Sequence, residues 1–277
     1  MNKVLTTIAA VASIATAVLS NSAHAGEVLD RVLATKTLTV ATGADWGPAA
    51  RLNDKHELVG YDVDVARGIA KSLGVDVKFV TPGWDVIVAG HWQGRYDMAA
   101  CEMIPTKARL DVFDFPAIIT WTQMVAVVHK DSKATKPADL NGKVIGMVSG
   151  GVYEAYANQT FTPSWEIAKP VEYYFKPGEV KITASSNIAL DDLRLGDGVR
   201  LDAVLTDDVT ARAAIESGYP LRILEQPLIS TPGAIAIMPG DKEFSDKVAA
   251  AVEAMRGNGT LSELSMKWYG ADRTLEE

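Results

Sequence analysis

Arg109 lies in the run Thr106-Lys107-Ala108-Arg109, directly after an apolar stretch. A guanidinium presents a planar fork of donors that matches a carboxylate, so this position suits capture of an α-carboxylate. The competing reading is a surface arginine paired with Asp111 or Asp114. Asp207 closes the apolar run that begins at Leu201 and stands before a helical pattern. Its carboxylate either faces a cleft or caps the helix, and Asp208 is the other candidate for the cap. Trp46 and Trp84 offer ring faces that attract cations. Gly47-Pro48 makes the Trp46 segment a loop, where binding residues concentrate. Trp92, Trp165 and Trp268 read as core residues. Ser149-Gly150-Gly151-Val152 leads into a helix, where backbone N–H groups favour an anion, or it is an ordinary tight turn.

Other chemistry is poorly supported. Four histidines are scattered without metal-ligand spacing, and no C-x-x-C, P-loop or dinucleotide fingerprint is present. No metal or cofactor is expected. The single cysteine, Cys101, has no neighbouring His or second Cys and reads as a buried structural thiol. His91, placed on a helix, and His129, at a strand end, read as surface residues. The net charge of -8 gives no electrostatic footprint for nucleic acid or anionic lipid.

The positioning elements alternate. Thr37–Val40, Val75–Phe79 and Asp97–Cys101 have strand character, with helices expected from Gly60-Tyr61-Asp62 to Leu73 and from Val86 to Trp92. Asp62 reads as the N-cap of the first of these helices, and Gly74 stops it. The order β-α-β-α-β implies a mostly parallel sheet. The middle of the chain repeats the grammar. Strands are expected at Val144–Val148, Val171–Phe175, Asp202–Leu205 and Ile235–Met238, and helices at about Val152–Asn158 and Ile188–Leu195. Phe244, Val248, Val252 and Met255 share a face of a late helix, and a short helix with Leu261, Leu264 and Trp268 follows. At 277 residues the chain has room for two α/β units.

Residues 1–25 differ in kind. Lys3 precedes an apolar run to Leu19, and Ala23-His24-Ala25 has the form of a cleavage site. The segment is expected to be a cleaved signal peptide that sends the chain to the periplasm. No cysteine at the junction favours a lipid anchor, and no later apolar run is long enough to span a bilayer.

Taken in order, Gly60-Tyr61-Asp62-Val63-Asp64, Gly94-Arg95-Tyr96-Asp97, Thr106-Lys107-Ala108-Arg109, Leu140-Asn141-Gly142-Lys143, Leu201–Asp207, Gly257-Asn258-Gly259-Thr260-Leu261 and Lys267-Trp268-Tyr269-Gly270 form one signal. The chain resembles the bacterial periplasmic solute-binding proteins of amino-acid ABC transporters, family 3, over almost all of 36–270. The resemblance implies the type II periplasmic binding protein fold: two α/β lobes, a two-strand hinge and an interlobe ligand cleft. It places a discontinuous lobe 1 at 26–120 and 233–277, lobe 2 at 121–232, and hinge crossings near Ile119–Gln123 and Ser230–Gly233. It implies a periplasmic binding component that delivers a polar or charged amino acid, or a derivative, to a membrane permease, and a monomer.

By the same resemblance, Arg109 takes the α-carboxylate, Asp207 the α-ammonium, Trp46 and Trp84 sandwich the ligand stem, and Gly150 and Gly151 offer backbone N–H groups. The chain departs from the pattern at Glu102 and Ile104, where relatives usually carry a small residue and a hydroxyl, and at Gly151-Val152, where a threonine is common. Glu102 either enters the cleft or turns away to Lys107 or Arg95. Two alternatives remain beside the transport role: an enzyme of dehydratase type on the same scaffold, and an accessory protein with an altered pocket.

Overall fold

The computed structural model describes residues 27–276, so the expected signal peptide lies outside the described residues. Twelve strands are assigned among them. They are β1 (Thr37–Ala41), β2 (Asp45–Trp46), β3 (Ala50–Leu52), β4 (Leu58–Val59), β5 (Asp76–Val80), β6 (Met98–Met103), β7 (Asp114–His129), β8 (Val144–Val148), β9 (Glu179–Thr183), β10 (Ala203–Asp207), β11 (Leu221–Ile223) and β12 (Ile229–Ile237). The helices are α1 (Glu27–Thr35), α2 (Tyr61–Leu73), α3 (Trp84–Val88), α4 (Lys107–Leu110), α5 (Val152–Ala157), α6 (Ser186–Leu193), α7 (Asp208–Glu216), α8 (Lys242–Gly257) and α9 (Thr260–Tyr269). Among the described residues no helix is long and apolar enough to cross a membrane.

One sheet runs through the whole molecule in the order β5-β1-β6-β12-β7-β10-β8-β9, with β11 added to β7. β1 pairs in parallel with β5 and β6, as the β-α-β-α-β reading requires. Both faces of the central strands are buried, so there alternation sorts residues between two cores instead of between core and water. In β6, Met98 and Ala100 enter the core under α2, α8 and α9, while Ala99, Cys101 and Met103 enter the one around Trp92 and Phe113. In β7, Met124, Ala126 and Val128 face the core of Tyr156, and Val125 and Val127 the core of Leu190. Four cores on two stretches of one sheet make two lobes.

β7 and β12 belong to both. They pair antiparallel from Ile229↔Met124 to Ile237↔Asp114, with register shifts at Gly233/Ala234 and Ile235/Ile237. The strand expected at Ile235–Met238 is therefore only the end of a longer strand, which begins at Ile229 and stops at Ile237. The expected hinge segments lie inside these two strands.

Several expectations need correction. The Val171–Phe175 segment is not a strand. Its aromatic residues pack beside Tyr156, whose hydroxyl donates to Glu172 O and accepts from Tyr174 N, and β9 takes the sheet position instead. The helix expected at Val86–Trp92 begins at Trp84 and stops before Gly90, whose φ of 72° ends it. Trp92 follows in a loop, buried, with its indole N–H on Ile87 O. His91 is exposed but sits in that loop, not on the helix. His129 is buried, because β11 pairs with the end of β7 and covers it. The helix expected at Ile188–Leu195 starts at Ser186, where the Ser185 hydroxyl caps Ile188 N. Cys101 is free and buried, as expected.

Asp62 does not cap α2. Gly60 occupies that position with φ 144°, and Asp62 is the second residue of the helix, fully buried. A Cβ on Gly60 would stand 2.2 Å from Ala49 O, so the bare backbone is what lets α2 dock against β3. Gly74, at the other end of α2, has φ 69° but open space around it. Gly60→Ala is therefore expected to lose about 2 kcal/mol or more of stability, and Gly74→Ala only about 1 kcal/mol, as read by urea denaturation.

Candidate functional site

Between the lobes lies a cavity of about 380 Å³, within the range of small-molecule sites. Lobe 1 contributes the β1–β2 turn with Trp46, the Pro82-Gly83-Trp84 turn, the end of β6 and Arg109. Lobe 2 contributes the start of α5, the start of α6 and the end of β10. Each contribution sits where a strand gives way to a helix or turn, at the open ends of the sheet.

Arg109 rides on the single-turn helix α4, which Thr106 caps through its hydroxyl. Its guanidinium donates from Nη1 to Ile104 O at 2.9 Å and from Nη2 to Gly150 O at 3.2 Å, the second bond crossing between lobes. It also lies 5.3 Å from the ring centre of Trp84. The pairing with Asp111 or Asp114 does not form. Burial pulls its pKa down to about 10, so the group stays charged at neutral pH. Trp46 and Trp84 meet edge to face at 6.1 Å. Gly43 makes room for this, since a Cβ there would stand 2.0 Å from the Trp46 ring.

Asp207 both caps and lines the cavity. Its Oδ1 accepts from Thr210 N at 2.7 Å, and Oδ2 lies 3.5 Å from the Tyr153 hydroxyl. Burial pushes its pKa up, against the Thr210 hydrogen bonds. Asp208 has a different task. It accepts both Nη groups of Arg273, at 3.0 and 2.6 Å, together with Gln123 N. Arg273 is itself fixed: its N–H donates to Ser265 Oγ and its carbonyl accepts Trp121 N. The C-terminal segment thus straps onto β7 and α7.

Gly150 does not open toward the cavity as an N–H donor. Its φ is 65°, its N–H donates to Glu154 Oε2 at 3.3 Å, and its carbonyl is the acceptor for Arg109. Gly151 and Val152 do line the cavity. Ile104 lines it as well and packs into the core of lobe 2. Glu102 lines it from β6 and turns to neither Lys107 nor Arg95. Its Oε1 accepts the Tyr269 hydroxyl at 2.5 Å. Seven of the eight residues singled out from sequence therefore meet at one cavity, and Gly150 supports it from behind.

Asp62, Tyr153, Asn187 and Tyr269 escaped the sequence reading. Asn187 Nδ2 donates to Asp45 O across the cleft. Tyr269 stands in the Lys267–Gly270 motif, which marked the family without marking a side-chain role. Asp62 reads from sequence as a cap, whereas it is buried and lines the cavity. Among the described residues, no group of three or more His, Cys, Asp or Glu is placed to hold a metal ion.

A cavity between two lobes of a shared sheet, crossed by two strands and lined from both sides, defines a two-lobed solute-binding protein of periplasmic type. The chain belongs to the bacterial extracellular solute-binding proteins, family 3, whose model matches residues 38–271. It is 29% identical to a probable amino-acid ABC transporter-binding protein of Haemophilus influenzae, over 92% of this chain and 93% of that protein. It is 27% identical to the L-cystine-binding protein TcyJ of Escherichia coli K12, over 89% and 88%. An ancestral arginine-binding protein bound to arginine superposes with TM-score 0.72 at 29% identity, covering 85% of this chain and 99% of that one. An ancestral amino acid-binding protein described as a precursor of cyclohexadienyl dehydratase superposes with TM-score 0.74 at 26% identity, over 87% and 99%.

Burial opposes the Asp208 carboxylate, but the Arg273 hydrogen bonds and charge outweigh it and hold its pKa below 3.8. A depressed carboxylate contributes stability above its unfolded pKa and loses it as pH falls through the folded value. Asp208→Asn should then cost about 3 kcal/mol at neutral pH. In urea denaturation the gap to the parent protein should shrink as the pH falls below about 4.

Proposed function

We infer that the protein captures a polar or charged amino acid, or a derivative, between two closing lobes and delivers it to the membrane permease of an ABC importer. The observation that carries this is one cavity lined by Arg109 from lobe 1 and by Asp207 from lobe 2. A zwitterion between them gains a charge-assisted hydrogen bond on each side, and gains both only when the lobes are together. Arg109 takes the α-carboxylate, exchanging its bond to Gly150 O for the ligand. Asp207 takes the α-ammonium through Oδ2, since Oδ1 is committed to Thr210 N. Trp46 and Trp84 cover the stem, Gly151 and Val152 border the carboxylate, and Ile104 closes the floor.

The lobes divide at 120/121 and 232/233, inside β7 and β12, so closure bends two paired strands. Export to the periplasm by the N-terminal segment and action as a monomer complete the reading. The names of the Haemophilus and Escherichia relatives support an amino-acid receptor, and binding and release require no covalent step. Energy for transport comes from a separate ATPase.

A thermal-shift screen of the refolded, ligand-free mature protein against the common amino acids, polyamines and small carboxylates tests this. A true ligand at about 1,000 times its Kd adds roughly 4 kcal/mol and raises the melting temperature by about 8–16 °C. No shift with any amino acid, nor with opines added to the panel as derivatives, would overturn the reading. For a ligand so found, Arg109→Ala should weaken binding by about a hundredfold, measured calorimetrically. Asp207→Asn preserves a helix cap and removes the charge, so a similar loss would assign the ammonium to Asp207, and unchanged affinity would leave it a cap alone.

A further inference from the structure

Two carboxyl groups line the same cavity, Asp62 from α2 and Glu102 from β6. Asp62 is fully buried, lines the cavity, and has both carboxyl oxygens without a hydrogen-bond partner. Such an orphan is costly unless it holds a proton or meets a partner. Glu102, its acidic neighbour, is held in an unusual way. Its φ is 47°, in the left-handed region, at a bulge where β6 slips against β12 between Met103↔Ala234 and Ala100↔Ile235. A glutamate in that conformation is strained, and strain of this kind gathers at functional sites. Gly233 accommodates it: a Cβ there would stand 2.7 Å from the Glu102 Cβ.

The groups around the pair come from every side. Tyr61 accompanies Asp62 on α2. Cys101 precedes Glu102 on β6. Tyr269 on α9 donates to Glu102 Oε1. Arg273 on the C-terminal segment is spent on Asp208. Asp207 and Asp208 face it from the β10–α7 junction, and Tyr153 from α5. Arg109 is the one basic side chain among the described residues that line the cavity, against Asp45, Asp62, Glu102 and Asp207. Burial, together with the nearby acids, raises Glu102 to about 7 despite the Tyr269 bond, and burial and Glu102 push Asp62 well above its ordinary range.

We propose that Asp62 and Glu102 are a proton-holding acid pair in the cavity floor, and that a cationic group of the ligand other than its α-ammonium binds against Glu102 and releases that proton. The balance is simple: the protonated pair and a cation become a cation–carboxylate contact and one proton in solvent. The subsite rests on the preceding reading only in taking the interlobe cavity as the ligand site. It makes Glu102 the residue that sets ligand charge, and it links capture to pH.

Isothermal titration calorimetry with L-arginine, agmatine and L-glutamine tests it, at about pH 5.5 to 8 and in phosphate and Tris. L-Arginine or agmatine should bind about tenfold more tightly per pH unit up to about 7, releasing about one proton. Glu102→Gln should flatten the profile and abolish the release. Glu102→Gly, whose backbone suits φ 47°, should do the same. Proton release that survives in both variants points to Asp62 or Asp207 in place of Glu102 and overturns the proposal, as does pH-independent binding of either cation. Binding of L-glutamine alone also overturns it, while leaving the amino-acid receptor standing. Agmatine binding with proton release, without any amino acid binding, sustains the acid pair and overturns the assignment of an α-carboxylate to Arg109. Failure of all three probes removes the acid-pair proposal.

Discussion

The antiparallel ladder between β7 and β12 carries more of this structure than its size suggests. It is the middle of one sheet whose two ends form separate pairs of cores, so each strand must satisfy packing in both lobes. Backbone hydrogen bonds are obligatory in such a buried position. The ladder therefore stays paired where side chains change allegiance, and the register shifts at Gly233/Ala234 and Ile235/Ile237 are where it adjusts. The glutamate at the cavity floor, the glycine behind it and the strap from the C-terminus all lie against this stretch. A site next to the paired strands feels any bend in them, which is how a local ligand contact becomes a movement of whole lobes.

Electrostatics divides the neighbourhood of the cavity into two zones. Toward the C-terminal segment, the Asp208 and Arg273 charges are matched by a two-pronged hydrogen bond. Inside the cavity the matching fails. Arg109 turns its donors to the carbonyls of Ile104 and Gly150, and the carboxyls of Asp62, Glu102 and Asp207 meet no basic partner. Two adjacent acidic residues, Asp207 and Asp208, thus do opposite things because one faces the cavity and the other faces Arg273. An acid without a basic partner in an enclosed site carries a standing cost, whether it stays charged or holds a proton.

Much of this was legible in the sequence, for physical reasons. Period-two apolar alternation revealed β1 and β5, and unbroken apolar runs revealed β8 and β10, as strands buried on both faces do. The spacing of Phe244, Val248, Val252 and Met255 revealed α8. Order of motifs revealed the family and gathered Trp46, Trp84, Arg109 and Asp207 at one place. Illegible were features created by contact between distant segments. The length of β7 depends on β12 more than a hundred residues later. Tyr173 and Phe175 alternate like a strand but alternate onto a tyrosine. The conformation of Glu102 and its bond to Tyr269 exist only once α9 has come home.

That return has a consequence for how the chain becomes a protein. Lobe 1 begins with α1 and ends with α9, and all of lobe 2 is synthesised between them. Val28 and Leu29 donate to Asp241, more than two hundred residues along the chain. The core that holds Leu38 and Ile69 also needs Ile235, Phe244 and Leu261. Loop closure on that scale is slow, and nothing earlier in the chain substitutes for the missing strand and helices. The core of lobe 1 is complete only once the final segment has been made. The first residues of the chain are thus completed by the last, and that order is written into the topology.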